Sequence, residues 1–487
     1  MKTTIEHATR TKEEKHVTRR GIYVTAAAVL VLFAAMTFYL CRYALVNSRE
    51  LFANDYNGRE QLILEQNTRG KILAEDGDVL AQTLTNADGS EYRDYPYGSL
   101  FAHVVGYSVY GKAGIEKAED YDLVRSGIPL SEKAEHERSG EKYPGNEVVT
   151  TLVPKIQQAA SDAMGIYRGA IVVSEPSTGK ILAMVSKPDY DPNQIRELWS
   201  GLLADNASGT LLNRASQGMY PPGSTFKILD AAEYIREHPE ETASYSYSCN
   251  GTFTADGETI HCYHNQSHGQ VDFRTSFAKS CNASFANIGL SLDKTKYAAF
   301  LKNMMFGEDL PFELPSARSS VDLAADTPTA QMLQVAIGQG TTSMSPLHLN
   351  LITAAVANDG VVMRPYVVQS VRTASGEVIR ETKPAEYRRV MEEDTAAQMR
   401  LLMEDVVKEG TATKLQGYGY TAAGKTGSAE FNDADPSASH AWFTGYAPAE
   451  DPQFAVTVIL EGAGSGGGYA VPMARAVLDA CFAWQEQ

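Results

Sequence analysis

Three short clusters in this 487-residue chain carry side chains able to do nucleophilic chemistry. The first is Tyr220-Pro-Pro-Gly-Ser-Thr-Phe-Lys227. Pro221, Pro222 and Gly223 make a rigid, non-helical lead-in that delivers Ser224 to a helix N-terminus. Phe226, Ile228, Ala231, Ala232 and Ile235 then follow at helical spacing. Ser224 and Lys227 stand three apart, so both side chains leave one face of that helix. A free serine hydroxyl is a poor nucleophile, and a lysine of lowered pKa within hydrogen-bond reach can activate it. The unpaired N–H groups of a helix N-terminus suit a developing oxyanion. Taken alone, this spacing is more simply a serine cap and a solvated lysine.

The second and third clusters change that balance. Ser280-Cys281-Asn282 lies in the helix-like run Phe277–Phe285, and Lys425-Thr426-Gly427 is followed by Ser428. Each tripeptide is uninformative by itself. Ser-x-x-Lys, Ser-x-Asn and Lys-Thr-Gly in this order form the motif set of penicillin-interacting serine enzymes.

The elements that must position these clusters are legible in outline. Gly169–Ser174 and Lys180–Ser186 are β-rich runs joined by Glu175-Pro-Ser-Thr-Gly179, a hairpin turn. Between Lys227 and Lys425 the pattern is mostly helical. One apolar stripe runs through Leu347, Leu351, Ile352 and Ala355, and another through Met399, Leu402, Met403, Val406 and Val407. Tyr420–Gly427, Ala441–Ala447 and Gln453–Leu460 read as three strands, Gly462–Gly468 as a glycine loop and Val471–Trp484 as a closing helix. A strand pair, a helical block, a strand triplet and a helix imply one sheet with strands from both chain ends. The charged run Ser131–Tyr143 reads as an exposed loop at a domain boundary.

Hydrophobic residues at 43% and charged residues at 21% describe a globular chain rather than a disordered one. Residues 1–42 hold seven Lys/Arg against three Glu, whereas the remainder holds 36 Lys/Arg against 57 Asp/Glu. So acidic a remainder argues against nucleic acid as a partner. Gly21–Leu40 has no charge in twenty residues, enough at about 1.5 Å rise per residue to span a bilayer. Basic residues precede it, placing the N-terminus in the cytoplasm and the rest outside. The exit lacks a small-x-small cleavage site, so the segment reads as an uncleaved anchor.

Cys249 and Cys262 lie in one hairpin-like region and are open to a disulfide, to a free-thiol state or to a metal site with the flanking His261 and His264, though no standard ligand spacing is matched. Cys281 reads as filler, Cys481 as core, and His440 and Trp442 as structural.

With the motifs goes a resemblance. Tyr220–Lys227, Ser280–Asn282 and Lys425–Ser428, together with Arg69-Gly-Lys-Ile-Leu73, Gly114-Ile-Glu116 and the single anchor, resemble the class B penicillin-binding proteins from about residue 50 onward. The chain departs from that pattern at Val153-Pro154, where an Asp is usual, and at Ser428, where Thr is frequent. The resemblance implies an α+β fold: an antiparallel sheet flanked by helices, as in serine β-lactamases. It implies a cytoplasmic tail (1–20), an anchor (21–41), a pedestal (42–145) and a transpeptidase domain (146–487). It implies a peptidoglycan D,D-transpeptidase that attacks stem peptides ending in D-Ala-D-Ala and is acylated by β-lactams, with a polytopic SEDS-type glycan polymerase as partner.

In that scheme Ser224 is the nucleophile and Lys227 its base, its pKa lowered by burial or by the nearby Lys425. Ser280 relays a proton to the leaving amine, and Asn282 binds the donor peptide. Lys425, Thr426 and Ser428 meet the terminal carboxylate, and Gly427 leaves room for a ligand along its strand. The chemistry calls for no metal or cofactor. The rival readings are a carboxypeptidase or β-lactamase, a β-lactam sensor, and a scaffold with a vestigial site.

Overall fold

The computed structural model describes residues 2–47, 59–205, 207–430 and 439–486. The chain divides into two units, Met1–Gln66 and Asn67–Gln487. In the first, helix α1 (Lys2–Val46) runs through the uncharged stretch. Its segment Arg19–Ala44 is, among the described residues, the one helix long and apolar enough to cross a membrane. Residues 48–58 of the expected pedestal lie outside the described residues.

The second unit is built on two sheets. One begins with β1 (Ile72–Leu73) and β2 (Val79–Thr85), formed where Arg69–Ala81 reads as two short strands about a Gly77 turn, and continues with β3 (Glu91–Asp94). These strands are joined by β4 (Glu147–Thr150) and by two strands from far along the chain, to be numbered below. The second sheet opens with the expected hairpin, β5 (Gly169–Ser174) and β6 (Ile181–Lys187). Its residues are buried without in–out alternation, which requires cover on both faces.

The region expected to be mostly helical contains more strand than its pattern shows. A small insertion carries β7 (Ser246–Cys249), the hairpin β8 (Thr252–Ala255) and β9 (Glu258–His261), and β10 (Gly269–Asp272), which pairs back on β7. Further on, β11 (Val368–Arg372) and β12 (Val378–Glu381) complete the first sheet in the order β12-β11-β4-β1-β2-β3, with β1 and β4 parallel. β13 (Ala423–Glu430), β14 (Ser439–Ala447) and β15 (Phe454–Leu460) are the expected triplet. They complete an antiparallel five-stranded sheet in the order β13-β14-β15-β5-β6, with β13 at one edge.

The run expected to be an exposed loop is in part a helix, α2 (Leu130–Ser139), ended by Gly140 at φ 71°. Its residues favour helix but none is buried, so no apolar stripe marks it in the sequence. α3 (Pro154–Met164) packs against β6. α4 (Lys227–Glu237), α5 (Phe273–Ala278) and α6 (Asn282–Ser291) form the block beside β13. α7 (Pro346–Ala357), capped by Ser345 and with Pro346 at its first turn, lies on β5, β14 and β15. There Thr353, Thr444 and Thr457 share hydroxyl hydrogen bonds of 2.6 and 2.7 Å, and Asn350 accepts from Ser174 at 2.6 Å. α8 (Glu393–Lys408) follows, and α9 (Val471–Gln485) closes the chain against α3 and β15.

A buried ion network ties the first sheet to the helical turns after it. Arg69 donates to Glu116 at 2.7 Å and to Asp120 at 2.5 Å, Arg93 donates to Glu116 at 2.7 Å, and Lys112 meets Asp120 at 2.7 Å. Burial opposes every charge here. Arg93 and Arg69 nevertheless hold the Glu116 carboxyl below its ordinary range. Glu116 is completely buried, so Glu116→Ala leaves two arginines without their shared counter-ion. The expected loss is about 3–5 kcal/mol, read as a lower urea midpoint for the full-length chain.

Candidate active site

Ser224 sits in a one-turn 3-10 helix (Gly223–Phe226) that runs directly into α4, whose first residue is Lys227. Residues three apart eclipse in such a turn, so the serine and lysine share a face even more closely than in an α-helix. The turn is held from outside. Gly223 N–H donates to the Gly338 carbonyl at 2.9 Å, and the Trp442 indole N–H donates to the Pro221 carbonyl at 3.0 Å. Thr225 closes on the Pro222 carbonyl at 2.7 Å. Trp442 is thus structural, as expected, but in the turn that presents Ser224. The Ser224 hydroxyl is half-buried and makes no hydrogen bond to a described residue.

Ser280 stands in the link between α5 and α6 at φ 55°, a left-handed conformation uncommon for serine. This tight link aims both its carbonyl and its hydroxyl at lysines. Lys227 Nζ donates to Asn282 Oδ1 at 2.7 Å and to the Ser280 carbonyl at 2.9 Å, with Ser280 Oγ 3.3 Å away. Lys425, from β13, donates to the same Ser280 Oγ at 2.9 Å and to the Thr426 carbonyl at 3.0 Å. The Phe285 ring lies 5.2 Å from Lys227 Nζ and the Phe277 ring 5.6 Å from Lys425 Nζ. The three sequence motifs therefore meet at one hydroxyl.

Both lysines are 0% exposed. Burial pushes Lys227 down to about 8. Burial, and then the charge of Lys227, pushes Lys425 well below the ordinary lysine range. Their mutual repulsion belongs to the pair, and it favours a state in which one of the two is neutral. A neutral Lys227 fits its surroundings. Its two N–H bonds serve the Ser280 carbonyl and Asn282 Oδ1, which leaves the lone pair to accept from a hydroxyl. Asp230, one turn along α4, does not restore the charge. Burial raises its carboxyl well above the usual range, with Tyr297 Oη donating to it at 2.5 Å.

β13 offers more than Lys425. It is an edge strand, and the Gln339 amide closes its far end by accepting from Glu430 N–H at 3.0 Å and donating to its carbonyl at 3.1 Å. Backbone groups alternate along a strand, so the N–H groups of Ser428 and Thr426 point to the same open edge as those of Glu430. Thr426 shares a 2.5 Å hydroxyl hydrogen bond with Thr411, and Ser428 Oγ accepts from Gly466 N–H at 3.3 Å. Each arrangement leaves one O–H free to donate outward.

Gly427 has a different reason from the expected one. A Cβ there would point not along the open edge but into the Ser224 turn, 2.9 Å from the Pro222 carbonyl oxygen and 3.1 Å from Thr225 Cγ2. Gly338, which holds the Ser224 turn, and Gln339, which closes the end of β13, come from a loop with no chemical signature in the sequence. Gly427→Ala is expected to cost about 1–3 kcal/mol by overpacking, read as a lower unfolding free energy.

Residues 169–479 match the family described as the penicillin binding protein transpeptidase domain, and residues 69–148 match the penicillin binding protein A dimerisation domain. The chain is 34% identical to the peptidoglycan D,D-transpeptidase PbpA of Mycolicibacterium smegmatis, over 94% of this chain and 98% of that one. The crystal structure of PBPA from Mycobacterium tuberculosis superposes with a TM-score of 0.78 at 32% identity, covering 86% of this chain and all of that one. The imipenem acyl-enzyme complex of penicillin-binding protein A from M. tuberculosis gives a TM-score of 0.78 at 32% identity, over 86% of this chain and 99% of that one. With the motifs converged as they are here, this chain belongs to the class B penicillin-binding proteins.

Proposed function

We propose that this protein is a peptidoglycan D,D-transpeptidase working through an acyl-enzyme on Ser224, and that β-lactams acylate the same hydroxyl. The observation that carries the reading is the pair of buried lysines on Ser280 Oγ, set beside an otherwise unbonded Ser224. The donor stem peptide lies along β13 as an added strand, its terminal carboxylate taking the free hydroxyl protons of Thr426 and Ser428. Lys425 is buried, so it serves that end of the site through the Ser280 hydroxyl and the Thr426 carbonyl rather than by a direct contact. Gly427 keeps the strand close to the Ser224 turn.

Neutral Lys227 takes the Ser224 proton as Oγ attacks the carbonyl carbon of the penultimate D-Ala. The Ser224 and Ser428 N–H groups receive the oxyanion, each worth about 3 kcal/mol of barrier. As the intermediate collapses, the C–N bond to the terminal D-Ala breaks, and Ser280 passes a proton to the departing amine. Asn282, already fixed by Lys227 and by the His261 carbonyl at 2.9 Å, keeps one amide hydrogen for the donor peptide. The acceptor amine then attacks the ester and restores Ser224.

The chain is anchored by α1 with its N-terminus in the cytoplasm and Asn67–Gln487 outside. The basic residues before the apolar stretch and the acidic remainder support that orientation. The division at residue 145 into pedestal and transpeptidase domain is one of role, since β4, β11 and β12 share the pedestal's sheet. A single anchor fits a polytopic SEDS-type glycan polymerase as partner.

Full-length protein in detergent is expected to form a stable band with a fluorescent penicillin, absent in Ser224→Ala. Lys227→Ala is expected to slow acylation by about 10²–10⁴-fold. The wild-type rate should rise with pH and level off above about 8, because Lys227 gains its neutral form in that range. A flat profile from pH 6 to 10 would remove Lys227 as the base, and rapid loss of label with drug turnover would indicate a hydrolase.

A further inference from the structure

Four side chains meet behind the Ser280 link. Cys249 Sγ lies 3.7 Å from Cys262 Sγ and 3.6 Å from His268 Nδ1, and Cys262 Sγ lies 3.8 Å from Cys281 Sγ. All four ligand atoms fall within 4.8 Å of one another. The three sulfurs are buried and the imidazole is half-buried. A tetrahedral zinc ion with Zn–S bonds of about 2.3 Å and a Zn–N bond of about 2.0–2.1 Å has S···S edges of about 3.8 Å and S···N edges of about 3.6 Å. These three separations match those edges, and the remaining pairs need draw together by about 1 Å.

Each sulfur also accepts a backbone N–H: Cys249 from Gly251 at 3.4 Å, Cys262 from Ala283 at 3.5 Å and Cys281 from Ser284 at 3.4 Å. Donors aimed at all three sulfurs form the outer layer that a metal–thiolate centre uses. A Cys249–Cys262 disulfide would leave Cys281 and His268 beside it without a role. The histidines that flank Cys262 in the sequence are not in the cluster. His261 bonds Asn265 at the surface, and His264 is exposed.

We propose that Cys249, Cys262, His268 and Cys281 bind one zinc ion as a closed structural site. Binding displaces the thiol protons, and all four positions are filled by protein, so no step of the reaction runs through the metal. The ion would lock the β7–β10 insertion to the middle residue of Ser280-Cys281-Asn282. The insertion already reaches this segment through the His261 carbonyl on Asn282. The four ligands would thereby act as positioning residues for Ser280 and Asn282. The zinc content is measured without reference to turnover, so this proposal stands or falls apart from the proposed activity.

The test is elemental analysis of full-length protein purified in detergent without a metal-binding tag. About one zinc per chain is expected, with X-ray absorption showing three sulfurs at about 2.3 Å and one nitrogen at about 2.0–2.1 Å. That spectrum is read on the wild-type protein and does not depend on any variant folding. Cys249→Ser and His268→Ala should lose most of the zinc and slow penicillin acylation by about 10–100-fold. His268→Cys should retain both, and Cys41→Ser should change neither. A chain that carries no zinc even after zinc is supplied would overturn the proposal. So would a non-reduced protein lighter by the two hydrogens of a Cys249–Cys262 disulfide, or zinc that persists in both variants.

Discussion

Two lysine head groups without solvent, held on one serine hydroxyl, are the arrangement on which the rest of this structure depends. Taking two like charges out of water is strongly unfavourable, and the relief available is loss of a proton. In the proposed mechanism this makes a base out of a side chain that is ordinarily charged at neutral pH. It does so by exclusion of water and by repulsion, and the one carboxyl a turn along α4, Asp230, is itself pushed toward its neutral form.

The architecture can be understood as the means of bringing three distant segments to that point. Lys425 arrives on the edge of a sheet whose opposite strands lie some 250 residues earlier in the chain. Lys227 arrives at the start of α4, and Ser280 in a left-handed link that no regular helix could provide. The polar ladder of Asn350, Thr353, Thr444 and Thr457 fixes α7 on that sheet with every member bonded. Such a satisfied buried network sets one packing rather than several.

The chemistry was the most legible part of the sequence. Ser224, Lys227, Ser280, Asn282 and Lys425 belong to short motifs, and the fold brings Lys227, Ser280, Asn282 and Lys425 into direct contact. The five-stranded sheet was legible because β5, β6 and β15 are apolar on both faces and β13 carries the Lys-Thr-Gly motif. What escaped notice lacks a local signal. α2 buries nothing, so its helical residues look like a charged loop. β11 and β12 carry few apolar residues on an outer part of the first sheet, amid helical neighbours. His261 and His264 flank Cys262 in the sequence, but it is the pairing of β7 with β10 that sets His268 beside the cysteines. Likewise, the direction in which a Cβ at Gly427 would point is a property of the strand's face, which a tripeptide does not reveal.

The closing of the β13 edge by Gln339 has a further consequence. An unpaired edge is an invitation to any extended chain. Here the clamp on Glu430 leaves the stretch around Thr426 to Ser428 open toward the Ser224 turn, about 7–10 Å of backbone at some 3.3 Å per residue. On the proposed docking mode the strand would act as a ruler. It would have room for the last two or three residues of a peptide, and the clamp would keep a longer segment from zipping past Glu430, so one feature would both favour short chain ends and shield that end of the edge from self-association.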